Sequence, residues 1–389
     1  MACGKNAVFQ SALKSARKNT ALFLSNELSY NHLMYSRKIE SPPEVLVRNG
    51  KPVFGTFGGA TAKIDIRGLR APFGGVPLPA FISNFRIKSF LSFVFNIGQY
   101  IGTVEFFDQK IFGYAEVVFW DKETGRKLAY HSLMGPRRRF IPHNLNQGVC
   151  ASFGKKRYIR IGWDRTRDRV SMIFNLSGDS VRPSARAAFV AHYSDSGMTE
   201  TVSNVPVLSK RRCSALYLST PQIHGSLSID KTKHFNEATM QDTDGQSLFS
   251  ISRAFYDLYT ETEVVKATGI TDGKTVSFVI SAPEVDESSP ESVNKNLLIV
   301  DGKRTPLPPV KITHPFGVQT KWVIQDTENM IDLTFEPVSD NFRDIAFLVM
   351  RTQTHLIYGK FGGTLKTADN QSIDLNDFVG IAKKQLLRL

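Results

Sequence analysis

Tyr158-Ile159-Arg160-Ile161-Gly162-Trp163 is followed a few residues later by Val170-Ser171-Met172-Ile173-Phe174-Asn175-Leu176. In the first segment Ile159, Ile161 and Trp163 share one side, with Tyr158 and Arg160 on the other. In the second, Val170, Met172, Phe174 and Leu176 alternate with Ser171 and Asn175. A period of two sends neighbouring side chains to opposite faces of a strand, so each segment reads as a strand with one buried face. Ile331, Leu333 and Phe335 repeat the pattern against Asp332, Thr334 and Glu336, and similar runs extend from about Val45 to Thr367.

The segments between these runs carry turn chemistry rather than helical periods. Asn49-Gly50, Asp244-Gly245, Asp272-Gly273 and Asp301-Gly302 offer the positive-φ positions of tight hairpins, and Asp121–Gly125 a slightly longer turn. Antiparallel sheets, closed or sandwiched, follow from strands so closely joined. The glycine-rich echo of Phe54-Gly-Thr-Phe-Gly-Gly59 in Tyr358-Gly-Lys-Phe-Gly-Gly363 marks sharp corners in such sheets. Only the ends read as helical. Val8, Phe9, Ala12, Leu13 and Ala16 share one face near the start. Leu375, Phe378, Ala382, Leu386 and Leu389 share one at the end, with Asp374 or Asn376 as cap.

Length and charge divide the chain. At 389 residues it exceeds one ordinary core, and the sign of the charge changes after Lys210-Arg211-Arg212. Residues 1–213 hold 32 Lys and Arg against 14 Asp and Glu; residues 214–389 hold 17 against 22. The expected division is a basic amphipathic segment over 1–35, a first β-domain over 36–213 and a second over 214–389. Three scattered cysteines, Cys3, Cys150 and Cys213, support neither a disulfide framework nor a zinc site, so a reducing cytoplasmic setting is expected. The acid-poor opening segment leaves organelle targeting as the alternative. No run reaches bilayer-spanning length. The 28 Phe supply a large apolar interior.

Asn294-Lys-Asn296, Val300-Asp-Gly-Lys303, Trp322, Phe335-Glu-Pro337, Tyr358-Gly-Lys-Phe-Gly-Gly-Thr364 and the stretch from Asp374 to Gly380 follow in order. This series resembles the uncharacterised domain-of-unknown-function family 2804, and Tyr114–Gly125 and Glu200–Gly225 look similar to earlier parts of it. The resemblance implies two lipocalin-like antiparallel barrels, similar to the fold of carotenoid hydratases and of fungal cyclases that handle long apolar molecules. The chain departs from the family at Ser250-Ile-Ser-Arg253-Ala-Phe-Tyr256, where Arg253 stands without the expected acid and flanking glycines.

Walker, GxGxxG, HExxH and GxSxG signatures are absent, which removes support for common nucleotide, zinc-protease and α/β-hydrolase chemistry. The expected activity is binding of a long hydrophobic small molecule inside a barrel. Hydration, isomerisation or cyclisation without cofactor or metal is the reaction class to test. His143 is a candidate proton shuttle, with Asn144, Asn146, Trp163 and Arg165 around a ligand; the plainer reading is two turn asparagines and a rim histidine. Arg253 with Tyr256 could fork a carboxylate, or Arg253 could pair at a strand edge. Asn294 and Asn296 could meet a ligand carbonyl or close a hairpin. Cys213 beside two arginines is a weak nucleophile candidate, and His131 and His224 lack neighbouring ligands. The alternative class is contact with an anionic membrane, or less favourably nucleic acid, through the basic stretch 126–169. Arg137, Arg138, Arg139, Lys155, Lys156 and Arg157 carry that option.

Overall fold

Three successive strands, Ile87–Ile97, Tyr100–Asp108 and Gly113–Asp121, are apolar on both sides of the pleat and buried almost throughout. A strand covered on one face alternates; one covered on both reads as a continuous apolar run. These strands therefore lie between two layers, and that placement organises the molecule. The computed structural model describes residues 35–75, 78–135, 140–232, 237–282, 293–347 and 350–388. Among them the chain is nearly all β, with a single short helix, α1 (Ala80–Phe85).

Fourteen strands form the first sheet, and the long strand Ala238–Phe255 is its hub. On one edge its early residues pair with Gln222–Ile229 and its later ones with Ser209–Ser219; on the other, Gly245 to Phe255 pair with Ile87–Ile97. One arm continues through Tyr100–Asp108 and Gly113–Asp121 to Lys127–Met134. The other passes through Ala185–Ala191, Arg169–Leu176 and Arg157–Asp164 to Gln147–Phe153. Ser152 Oγ donates to Ser132 Oγ at 3.1 Å where the end strands meet, so the sheet curls around a common interior. That interior is filled by rings: Phe95 stands 5.4 Å from Phe189, Phe119 6.0 Å from Phe174, and Trp163 5.5 Å from Phe249.

The second sheet has ten strands, antiparallel wherever they pair, and runs from Lys303–Pro306 at one edge to Lys311–Thr313 at the other. Its concave side is likewise packed, with Phe278 5.1 Å and Phe335 4.8 Å from Phe361, and Trp322 6.1 Å from Phe335. The two sheets share a layer of apolar side chains. Val94, Ile101, Val118 and Leu248 from the outer side of the first meet Val279, Ile299, Leu356 and Ile381 of the second. Trp120 and Tyr358 stack there at 5.9 Å.

The alternating segments form strands as expected, and Asp272-Gly273 and Asp301-Gly302 close hairpins with positive φ at both residues. Asn49-Gly50 turns the same way. Asp244-Gly245 does not turn. It lies within Ala238–Phe255, where a Cβ on Gly245 would stand 2.6 Å from the Asn96 carbonyl oxygen; glycine there admits a neighbouring backbone. The expected C-terminal helix is a strand, Phe378–Arg388, central in the second sheet. It pairs with Tyr259–Thr271 on one edge and Met350–Lys366 on the other. Two ladders and burial of both faces outweigh a helical stripe that had no partner surface of its own. The proposed caps instead make a turn, with Asp374 Oδ1 accepting from the Asn376 amide at 2.9 Å. The first sheet ends at Phe255 and the second begins at Tyr259, while the boundary expected at 213/214 falls within Ser209–Ser219. The helical reading of the opening segment lies outside the described residues.

Gly359 faces Gly380 across the ladder, and a Cβ on Gly359 would meet the Glu336 carbonyl oxygen at 2.3 Å and the Phe335 ring at 2.6 Å. Neither obstacle is a flexible side-chain end. Gly359→Val is expected to destabilise the protein by about 2 kcal/mol or more through overpacking, read as a lower urea midpoint at unchanged slope.

Candidate functional site

Glu105 sits in the middle of the apolar run Tyr100–Asp108 and points away from the ring-filled interior, toward the second sheet. A carboxylate in that position needs a cation, because taking it out of water costs several kcal/mol unless it is paired. The second sheet supplies two. Lys383 Nζ donates to Glu105 Oε2 at 2.7 Å, and Lys266 lies close enough for its charge to act on the same carboxylate. Burial would raise the Glu105 pKa, but Lys383 and Lys266 outweigh it and hold the group below the usual carboxylate range. Burial pushes the Lys266 ammonium down to about 8, with Glu105 opposing the shift and Lys383 adding to it. Lys383 Nζ also stands 4.8 Å over the Phe90 ring.

These groups line a cavity of about 150 Å³ between the two sheets. At roughly 10–15 Å³ per water centre it holds on the order of ten waters. From the first sheet come Phe90, Leu216 and Leu218 with the hydroxyls of Ser92, Ser214, Ser250 and Ser252. From the second come Val264, Val279, Lys266, Lys383 and Gln385. Tyr256, Asn294, Asn296 and Pro309 close it from the connecting segments. The barrel interior expected to hold a ligand is packed by phenylalanine, and the open space lies between the sheets instead. The lining combines apolar walls, a row of small hydroxyls and one excess positive charge. No hydrogen bond or ion pair to a described residue engages Lys266 Nζ, so it is available to an incoming acceptor.

A second charged pair crosses the same layer. Glu116 stands opposite Glu105 in the ladder, and its carboxylate is taken by Arg343 and, at 3.0 Å, by Asn341 Nδ2. Arg343 also donates to the Tyr114 hydroxyl at 2.8 Å. Two neighbouring buried carboxylates thus each draw a cation from the opposite sheet.

The residues singled out from sequence fall into separate groups. Tyr256, Asn294 and Asn296 line the cleft. The Asn296 side chain also ties the Ser281 amide at 2.9 Å to the Pro308 carbonyl at 2.9 Å. Arg253 and Tyr256 do not form one fork. Arg253 points into the first curl, where it donates to Ser89 Oγ at 2.6 Å and to the Ile141 and Pro142 carbonyls at 2.7 and 3.0 Å. His143 lies beside it, 3.6 Å from Asp65, and burial with the Arg253 charge pushes its pKa down to about 4. Asn144 and Asn146 share a turn in which Asn144 Oδ1 accepts from the Asn146 amide at 2.8 Å, and Trp163 Nε1 donates to the Asn144 carbonyl at 3.0 Å. Arg165 is bound to Glu200, which also accepts from Tyr217 at 2.5 Å. Lys155 and Lys156 are exposed at a hairpin tip, and Arg157 donates to the His131 carbonyl. Arg137, Arg138 and Arg139 lie outside the described residues. Burial raises the Cys213 thiol to about 12, which leaves it an unreactive core residue.

Glu105, Lys266 and Lys383 were not singled out from sequence. The available signal was a lone charge at the centre of an otherwise apolar strand, since such residues are almost never buried without a partner.

The family model described as "Domain of unknown function (DUF2804)" matches residues 36–389. A search of curated proteins finds no match. Among solved structures, an AttH-like protein from Nitrosomonas europaea aligns over 81% of this chain and 97% of its own, at 10% identity and a TM-score of 0.45. Kievitone hydratase from Nectria haematococca aligns over 90% and 98%, at 9% identity and 0.43. CghA, solved with Sch210972, aligns over 90% and 98%, at 10% identity and 0.41.

Two substitutions separate the cleft from the interior of the first sheet. Lys383→Met removes the direct partner of Glu105 and is expected to destabilise by about 3 kcal/mol at neutral pH, with the deficit shrinking in acid as Glu105 protonates; chemical denaturation at two pH values measures it. Arg253→Met strands two buried carbonyls and is expected to cost about 3 kcal/mol while leaving ligand affinity of the folded protein unchanged.

Proposed function

This chain belongs to the DUF2804 family, and we propose that its cleft binds a largely apolar small molecule carrying one anionic or strongly polar acceptor group, received by Lys266. The observation that carries this reading is the Lys266 ammonium, with no hydrogen bond or ion pair to a described residue, facing a cavity in which Lys383 is held by Glu105 and Lys295 donates to Ser214 Oγ. Phe90, Leu216, Leu218, Val264 and Val279 suit an apolar body, and the serine row suits hydroxyl or carbonyl substituents along it. Proton transfer is the chemistry such a site supports. With a pKa of about 8, Lys266 is partly neutral near physiological pH and takes or returns a proton at Nζ. Hydration and isomerisation of a polarised double bond each need a proton taken from one atom and delivered to another, which an amine does by accepting it at Nζ and returning it, while Glu105 with Lys383 keeps the surrounding field fixed. Organic extraction of the purified protein, followed by mass spectrometry, identifies the ligand class.

Binding carries a pH signature. An anion seated on Lys266 favours the ammonium, so association takes up a proton wherever the free amine is neutral. Affinity for a polyene carboxylate such as parinaric acid is expected to be flat below about pH 8 and to fall on the order of tenfold per pH unit above it. Lys266→Met should weaken the carboxylate by roughly tenfold or more and flatten the profile, with neutral retinol little affected. Equal affinity of wild type and variant for parinaric acid would overturn the assignment of Lys266.

A further inference from the structure

Helix α1 is inverted. Phe81, Ile82 and Phe85 of α1, with Leu78 just ahead of its N-cap Pro79, are apolar and turned outward. Phe81 is 76% exposed and the other three 40–45%, whereas the polar Ser83 is the buried residue of the helix. Leu258, in the segment joining the two sheets, and Tyr259, at the start of the strand Tyr259–Thr271, are each 60% exposed. Arg86 links the two places, donating to the Tyr256 carbonyl at 2.9 Å and lying 3.8 Å from Asp257. Exposed apolar side chains gathered on one short helix and beside the residues that hold its end mark a contact with something other than water.

The charges around it identify the contact. Arg86 and Arg212 both lie over the Phe73 ring, at 5.2 and 5.4 Å from its centroid. Two guanidinium groups on one ring repel each other, and Arg212 has no hydrogen-bonded or ion-paired carboxylate among the described residues. Lys210 and Arg211 are exposed just before it. An outward apolar helix face rimmed by arginine and lysine is the combination that inserts at the boundary of acyl chains and anionic headgroups.

We propose that α1, with Leu258 and Tyr259, docks this protein on an anionic lipid bilayer, with Arg86 and Arg212 receiving headgroup phosphates. Tyr256 both lines the cleft and holds Arg86 through its carbonyl, so docking brings that end of the cleft to the lipid surface. Docking through α1 does not involve Lys266.

Full-length protein is sedimented with phosphatidylcholine vesicles with and without phosphatidylserine. Binding is expected with phosphatidylserine, is weak without it, and falls as salt rises. Phe81→Asp and the double change Arg86→Gln, Arg212→Gln should each reduce binding by roughly tenfold or more, whereas Lys266→Met binds vesicles as wild type does. Phe81→Trp gives an independent reading: its emission shifts to the blue and escapes an aqueous quencher only when phosphatidylserine vesicles are present. Vesicle binding unaffected by Phe81→Asp, or no vesicle binding by the wild type, overturns the proposal. So does emission from the introduced indole that is already shielded without lipid, meaning another part of the chain covers the helix, or a dimer that Phe81→Asp dissociates, meaning a second copy does.

Discussion

Burial of the first sheet on both of its faces is the constraint from which the rest follows. A curled sheet ordinarily turns one face inward and wets the other, which produces the alternation seen in Arg157–Asp164 and Arg169–Leu176. In Ile87–Ile97, Tyr100–Asp108 and Gly113–Asp121 the outer face is covered by the second sheet, so Val94, Ile101 and Val118 are as buried as Phe93, Val104 and Phe119. The second sheet is then more than an appended domain. Removing it would expose a broad apolar layer, and at about 25 cal/mol per Å² that exposure is too costly for the first sheet to remain as it is.

Polar groups caught in such a layer cannot be left alone. Glu105 and Glu116 occupy matching positions of adjacent strands, and the opposing sheet answers each with a cation, Lys383 and Arg343. Serine and threonine side chains around them satisfy one another, as Ser92 does with Thr103 at 3.4 Å and Thr268 with Ser277 at 2.7 Å. Where that pairing is complete the sheets close; where it is incomplete, at Lys266, a cavity remains. The cleft is thus the part of the layer in which charge and volume do not balance within the described residues.

The all-β class and several hairpins were legible because they depend on local rules. Asp272-Gly273 and Asp301-Gly302 need only their own positive φ, and Val170 to Leu176 only its own period. Burial on two faces erases that period, and there the sequence misleads. Phe378–Arg388 carries apolar residues on both sides, so spacing matched a helix as well as a strand; only the two flanking ladders decide it. The site suffered the same ambiguity. His143 drew attention as a proton shuttle and Arg253 as a carboxylate fork; in the structure Arg253 holds the Ile141 and Pro142 carbonyls and His143 stands 3.6 Å from Asp65. Glu105 and Lys266 meet across 161 residues of sequence, and no spacing rule reaches that far.

The strand that replaced the expected helix carries the sharpest consequence. In a helix, Ile381, Lys383, Gln385 and Leu387 would spread around the axis; in a strand they stand on one side, two residues apart. That side faces the first sheet: Ile381 enters the shared apolar layer, Leu387 packs with Phe107 and Tyr256, and Lys383 and Gln385 line the cavity between them. One period-two register therefore seals the cleft at both ends and sets the cation of Glu105 in its middle. A shift that placed Ala382 where Lys383 stands would leave Glu105 without its direct partner. The register of this strand and the charge balance of the site are consequently the same structural fact, and neither can drift without the other.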